Sequence, residues 1–297
     1  MVNHKLYGTG VALVTPFKAN GSLDVTGLDH LLKFTAQKGV DYYVVMGTTG
    51  ESVTLTSKEK ENILRYVKDN NGHNLPIVYG IGGNNTAEIL DQLQKTDLEQ
   101  VAALLSVSPY YNKPSQEGII QHYTSIADRS PVPVILYNVP GRTGSNIMAE
   151  TTLKLSEHEN IIGIKEASGD IGQALQIMKY KPSDFMLISG DDLLTVPLYA
   201  IGAVGVISVL ANAFGDVFKS IKTHVQAEDY GNATAELLHL VDINPLMYAQ
   251  SNPVGIKQVL QEFGVCENHV RLPLVAASQP LQEKIREALA FMRQYSL

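Results

Sequence analysis

Lys165 follows Ile161-Ile162-Gly163-Ile164, an apolar run of the kind that a parallel sheet buries. Desolvation penalises an ammonium in such a place and lowers its pKa, and a neutral amine can attack a carbonyl to form a Schiff base. The plain alternative is a lysine that snorkels to solvent or pairs with Glu166. Tyr137 ends the preceding apolar run, Val134–Tyr137. A phenol there can relay protons during imine formation and carbon–carbon bond making, or simply sit in the core with its hydroxyl satisfied. Gly47-Thr48-Thr49-Gly50-Glu51 offers two hydroxyls and turn amides that can cradle a small carboxylate, although an ordinary strand-to-helix turn has the same composition. Arg142, just past Pro140-Gly141, carries a fixed charge and a bidentate fork suited to a carboxylate; a surface salt bridge is its bland counterpart. Tyr110 and Tyr111 are adjacent on an extended segment, so their rings diverge and only one faces a site in its own chain.

Other chemistries find less support. The eight histidines are scattered without a ligand-type pair, so no metal site is expected. Asp191 and Asp192 fit a helix cap better than a cation site. Gly80-Ile81-Gly82-Gly83 lacks the G-K-[ST] ending of a phosphate loop and any dinucleotide fingerprint. A net charge of −7, from 23 Lys+Arg against 30 Asp+Glu, with no basic run, argues against a nucleic-acid partner. The single cysteine, Cys266, excludes an internal disulfide and suits a reducing, cytoplasmic setting, with a buried, inert thiol as its default. Residues 1–17 do not read as a secretion signal. Leu193–Gly215 is 23 residues without a charge, long enough to span a bilayer. Pro197, Gly202 and Gly205 interrupt it and no basic cluster flanks it, so a buried helix and a buried strand are expected and a membrane is not.

These residues need a frame that brings separate segments to one place. Short β-branched runs occur at Val11–Thr15, Val40–Met46, Pro76–Gly80, Ala102–Val107, Val134–Tyr137, Ile161–Lys165, Phe185–Ser189 and Val204–Val209. Between them lie helical spacings such as Leu28, Leu31, Leu32 and Thr35. Thr56 with Glu59 forms a capping-box pattern, and Gly39 stands where a helix stop is expected. Strands alternating with helices imply parallel pairing through right-handed crossovers, and about eight units is the count of a (β/α)8 TIM barrel. A doubly wound sheet is the alternative, against which no G-x-G-x-x-G follows the first strand. Catalytic groups of such barrels stand at the C-terminal strand ends, where the residues above lie. Composition changes near residue 228: 21 of the 24 glycines precede it. Residues 1–228 are therefore expected to form the catalytic barrel and 229–297 a C-terminal helical appendage for packing or assembly. In the latter, Asn252-Pro253 reads as a cap with proline at the first helical position, Gly264 as the stop, and Leu281, Ile285, Leu289 and Met292 as an apolar stripe.

The motifs GTTGES (47–52), SPYYNKPSQEG (108–118), LYNVPGRTG (136–144), GIKEASGD (163–170), SGDD (189–192) and GVISV (205–209) together resemble the dihydrodipicolinate synthase family of pyruvate-dependent class I aldolases. NPVGIKQVL (252–260) and RLPLV (271–275) resemble that family's helical C-terminal region, so the likeness covers nearly the whole chain. The resemblance implies that Lys165 forms the Schiff base with pyruvate and that Tyr137 is the proton donor and acceptor. Thr48 and Tyr111 would complete a proton relay, Tyr111 reaching in from a neighbouring subunit. Thr49 and Ile207 would contact pyruvate, Ile207 through its backbone, and Arg142 would grip the carboxylate of L-aspartate 4-semialdehyde. No organic cofactor or metal is implied. Sharing Tyr111 across subunits further implies a homo-oligomer, at least a dimer, and the resemblance favours a tetramer of two dimers.

Sialate lyases and sugar-acid aldolases of the same superfamily share the lysine and tyrosine but usually lack the R-T-G, so another pyruvate-dependent aldolase stands second. A silent small-molecule sensor stands third, because such a paralogue should have lost Lys165 or Tyr137. Ser52, Asn84, Glu88 and Tyr110 match an allosteric lysine pocket. Lysine-inhibited members usually carry histidines where this chain has Ser57 and Lys60. A cation at Lys60 disfavours a cationic effector, and weak or absent lysine feedback is expected.

Overall fold

The apolar runs become eight strands in a computed structural model that describes residues 4–295. They are β1 (Gly8–Ala12), β2 (Tyr42–Val45), β3 (Ile77–Gly80) and β4 (Val101–Val107), then β5 (Val134–Asn138), β6 (Ile161–Glu166), β7 (Met186–Ser189) and β8 (Gly205–Ser208). The strands follow chain order in a closed parallel barrel, the (β/α)8 TIM architecture. β1 starts three residues before the expected Val11. Gly8-Thr9-Gly10 has no apolar pattern to announce a strand, yet a Cβ at Gly10 would overlap the Tyr42 ring, so only glycine fits there. The described residues divide into two compact units, one within Met1–Gly8 and Pro76–Ile207, the other within Thr9–Leu75 and Ser208–Leu297.

In the first unit β3 to β8 pair in sequence, and β5, β7 and β8 are buried along their whole length. That burial on both faces explains why these strands read as continuous apolar runs rather than alternating ones. The register sets Tyr137 beside Lys165 and Lys165 beside Ile188; one residue on, Asn138 is level with Glu166 and Glu166 with Ser189. Helices Thr86–Lys95, Gln116–Arg129 and Ile171–Tyr180 start on Asn85, Ser115 and Asp170, whose side chains accept hydrogen bonds from first-turn amides.

In the second unit β1 and β2 pair in parallel, Val11 level with Tyr43. Helix Val25–Gln37 stops at Gly39 with φ +84°, and helix Ser57–Asp69 opens on the Thr56–Glu59 capping box, both as expected. Leu281, Ile285 and Leu289 are buried on helix Gln279–Tyr295, and Gly264, at φ +69°, follows the end of helix Val254–Glu262. The expected cap before that last helix is corrected. Its N-cap is Pro253, the helix begins at Val254, and the Asn252 side chain donates instead to Thr49 Oγ1 at 3.0 Å.

The uncharged Leu193–Gly215 stretch is shared among helix Thr195–Ala200, β8 and the start of helix Ala211–Gln226. Among the described residues no helix is long and apolar enough to cross a membrane.

Candidate active site

Lys165 and Tyr137 share one level of adjacent parallel strands, and the Lys165 Nζ lies 4.5 Å from the centroid of the Tyr137 ring. Lys165 is 5% exposed and Tyr137 7%, so the lysine does not snorkel. Nor does Glu166 serve as its counter-ion. Alternation along β6 sends Glu166 to the opposite face, where its carboxylate accepts from Ser168 N (2.7 Å), Gln173 Nε2 (2.9 Å) and Asn138 Nδ2 (3.0 Å). Space beside the lysine is kept by Gly190, where a Cβ would fall 3.0 Å from Lys165 Cε and 2.5 Å from Ala167 Cβ. A buried primary amine, a phenol ring beside it and a side-chain-free neighbour suit attack on a small carbonyl compound.

Arg142 stands exposed in the single helical turn Pro140–Thr143 that follows β5. Proline at the first position and Gly144 at φ +73° delimit that turn. The chain just beyond it is tied down by Asn138, whose Oδ1 accepts from Ile147 N at 2.9 Å and whose Nδ2 donates to Asn146 Oδ1 at 2.7 Å. Asn146 in turn donates to Gln173 Oε1 at 2.7 Å. Glu166, Asn138, Gln173 and Asn146 thus form one buried network between the lysine strand and the arginine turn. Tyr111 N donates to Thr143 O at 3.3 Å, while the Tyr111 side chain is 87% exposed at φ 72°. Tyr110 is half-buried and its carbonyl accepts from Asn84 Nδ2 at 3.1 Å, and the left-handed backbone of Tyr111 corrects the extended segment expected here. Glu88 is exposed in the first turn of its helix, and Ile207 is buried in β8.

The second unit holds the Gly47–Ser52 segment. Thr48–Gly50 form a turn of 3-10 helix closed by Gly50 N to Gly47 O and Glu51 N to Thr48 O, and Thr15 Oγ1 donates to Gly50 O at 2.6 Å. Thr49 is buried and Thr48 half-buried. Glu51, left without a role by the sequence, adopts the left-handed conformation and is 3% exposed. Its Oε1 accepts from Lys257 Nζ at 2.6 Å and its Oε2 from Arg271 N at 3.0 Å. Burial pushes the Lys257 ammonium below the ordinary lysine range, with Glu51 opposing that shift. The Arg271 guanidinium binds Glu59 and the carbonyls of Gly21 and Thr54, and this hydrogen bonding holds the Glu59 carboxyl at about 2.

Ser52 is half-buried, Ser57 opens its helix, and the half-buried Lys60 has a pKa lowered by burial. Asp191 caps the turn after β7 by accepting from Leu193 N at 3.0 Å. Among the described residues no three His, Cys, Asp or Glu side chains gather as a metal site would require. Burial pushes the Cys266 thiol up to about 12, far from reactive thiolate.

Comparison with known proteins gives the same family throughout. The model of the dihydrodipicolinate synthetase family matches residues 5–291. A curated 4-hydroxy-tetrahydrodipicolinate synthase of Cytophaga hutchinsonii is 52% identical over 295 residues, covering 99% of each chain. The crystal structure of a dihydrodipicolinate synthase from Bacillus anthracis matches with a TM-score of 0.93 at 36% identity over 100% of both chains. A solved structure described as a monomeric dihydrodipicolinate synthase variant matches with a TM-score of 0.93 at 35% identity over 97% of each chain.

Proposed function

The chain belongs to the dihydrodipicolinate synthetase family, lyases that condense pyruvate with L-aspartate 4-semialdehyde through a lysine Schiff base on the route to diaminopimelate and lysine, and on that premise we propose that Lys165 is the lysine. The observation that carries the assignment is a buried amine at the same level as Tyr137, with the space beside it kept clear by Gly190.

The Lys165 nitrogen attacks C2 of pyruvate, water leaves, and an imine forms. Loss of a C3 proton gives an enamine whose C3 attacks the aldehyde carbon, and the new alkoxide takes a proton. The amino group of the aldehyde-derived half then attacks C2 and displaces Lys165, closing the ring. Tyr137 is the group that carries protons to and from these centres. The Lys165 Nζ lies over its ring, 4.5 Å from the centroid, which supports that role.

Arg142 offers the aldehyde's carboxylate a bidentate partner, and its exposure at the end of β5 suits a residue meeting an incoming substrate. Thr48 and Thr49 lie in the second compact unit; their parts, in the relay and in contact with pyruvate, rest on the GTTGES likeness, as the backbone contact from Ile207 rests on GVISV. Tyr111, almost fully exposed, suits a residue that completes the relay in a neighbouring subunit, so a homo-oligomer is proposed, a tetramer of two dimers first. We keep residues 1–228 as the catalytic barrel, 229–297 as its appendage, and a cytoplasmic setting.

Borohydride reduction in the presence of pyruvate, followed by peptide mass spectrometry, tests the mechanism. The expected result is one pyruvate-derived adduct on Lys165; no adduct, or one elsewhere, overturns the assignment.

A further inference from the structure

The helical tail reaches the Gly47–Ser52 turn through three residues. Asn252 Nδ2 donates to Thr49 Oγ1 at 3.0 Å, Lys257 Nζ donates to Glu51 Oε1 at 2.6 Å, and Arg271 N donates to Glu51 Oε2 at 3.0 Å. None of this is cheap. Glu51 sits at φ 51°, ψ 35°, where side chains other than glycine are disfavoured. Lys257 is wholly buried, and an apolar pair of similar volume would fill the same space without desolvating two charges. The ammonium is nevertheless fully provided for, by Glu51, by the His269 carbonyl at 2.7 Å and by the Phe17 ring at 4.3 Å. Such a cluster specifies a geometry more than it stabilises a fold.

The Asn252 contact has a direction. A threonine hydroxyl has one hydrogen, and when Oγ1 accepts from an amide that hydrogen remains for another acceptor. Asn252 is 6% exposed, so bulk water does not compete with this contact.

We propose that Asn252 and Lys257 are positioning residues for pyruvate binding: Asn252 makes Thr49 a hydrogen-bond donor to the carboxylate of the substrate, and the Lys257–Glu51 pair holds the turn that presents it. The inference rests on the assignment of Thr49 as a pyruvate contact, and it gives the tail a part in the chemistry beyond packing or assembly.

The test measures the pyruvate concentration at half-maximal borohydride trapping, with steady-state KM for each substrate, in the full-length protein. Asn252→Asp replaces the amide donor by an acceptor, so the Thr49 hydrogen turns toward the new carboxylate and away from the substrate. Half-trapping should then need roughly tenfold more pyruvate or more, the worth of one charge-assisted hydrogen bond. The adduct should stay on Lys165 and the aldehyde KM should stay within about twofold, a split that general loosening would not give. Asn252→Ala, which adds no charge, should move in the same direction. Combining Asn252→Asp with Thr49→Val should be no worse than the poorer single variant, because both remove one interaction. Should Lys257→Met not fold, Glu51→Gln with Lys257→Gln removes both charges while keeping polar partners, and its pyruvate requirement should also rise. Unchanged half-trapping in the Asn252 variants, or effects that multiply with Thr49→Val, would overturn the inference while the Lys165 adduct stands. A wild-type protein without a Lys165 adduct would overturn the underlying assignment, and this inference with it.

Discussion

Replacing Glu166 by glutamine takes one charge out of the buried network between the lysine strand and the arginine turn, and the donors around it set the cost. The carboxylate accepts from Ser168 N at 2.7 Å, Asn138 Nδ2 at 3.0 and 3.2 Å, and Gln173 Nε2 at 2.9 Å. A glutamine has one acceptor oxygen, so its amide nitrogen must face at least one of these donors. A hydrogen bond to a charged group is worth about 1.5–3 kcal/mol and a stranded buried donor costs about 1–3 kcal/mol, which gives roughly 4 kcal/mol in all. For a chain of this length that corresponds to a Tm lower by about 6 °C. Because Asn138 also holds Ile147 N, the Arg142 turn should loosen, and the aldehyde KM should rise more than the pyruvate KM. The sharper test is a reciprocal exchange, Glu166→Gln with Gln173→Glu. The new amide at position 166 would then donate to the new carboxylate at position 173 while its oxygen accepts from Ser168 N, and that carboxylate would still accept from Asn146. Denaturant unfolding and steady-state kinetics of the single and exchanged variants decide the matter. A single variant within about 1 kcal/mol of the parent, or an exchange that recovers less than half the loss, refutes the reasoning.

Three further outcomes are expected. Tyr137→Phe should keep the pyruvate adduct on Lys165 but lower kcat by roughly 10²-fold or more, the usual worth of a positioned acid–base group; a kcat near that of the parent would remove Tyr137 from the proton path. His122 is 5% exposed, with Nδ1 2.8 Å from Thr86 Oγ1, and burial lowers its pKa to about 4. The unfolded chain therefore binds this proton first, so the contribution is complete above about pH 6.5 and falls by up to about 3 kcal/mol as pH drops toward 4; unfolding free energies of the parent and His122→Leu with the same slope over that window would contradict it. Millimolar lysine should leave activity nearly unchanged while Lys60 is present, and Ser57→His with Lys60→His should raise sensitivity if that charge is what excludes the effector; strong inhibition of the unaltered enzyme would end the idea.

What could be read from the residues alone follows from how local each signal was. The strands around Lys165 and Tyr137 announced themselves because a sheet buried on both faces demands unbroken apolar runs, and the helix caps at Thr56 and Gly39 are satisfied within a few residues of themselves. β1 escaped by three residues because Gly8 and Gly10 carry no side chain, and Gly10 serves a close approach to Tyr42 that leaves no hydrophobic trace. Glu166 was legible as a neighbour of Lys165 but not as the centre of its own network, since alternation shows which face a residue takes but not which amides wait there. The least legible residues were Glu51, Asn252 and Lys257. Their partners lie 206 positions away for Glu51 with Lys257 and 203 for Thr49 with Asn252, and no periodicity encodes such a pairing. One mark was nevertheless present: a lysine inside NPVGIKQVL, a segment otherwise free of charge, and a glutamate at the end of GTTGE. Unpaired, each would be too costly to bury; the strength of that cost is what makes each point to an opposite charge elsewhere in the chain, and it is through such a pair that a helical tail can bear on a turn read as a carboxylate cradle.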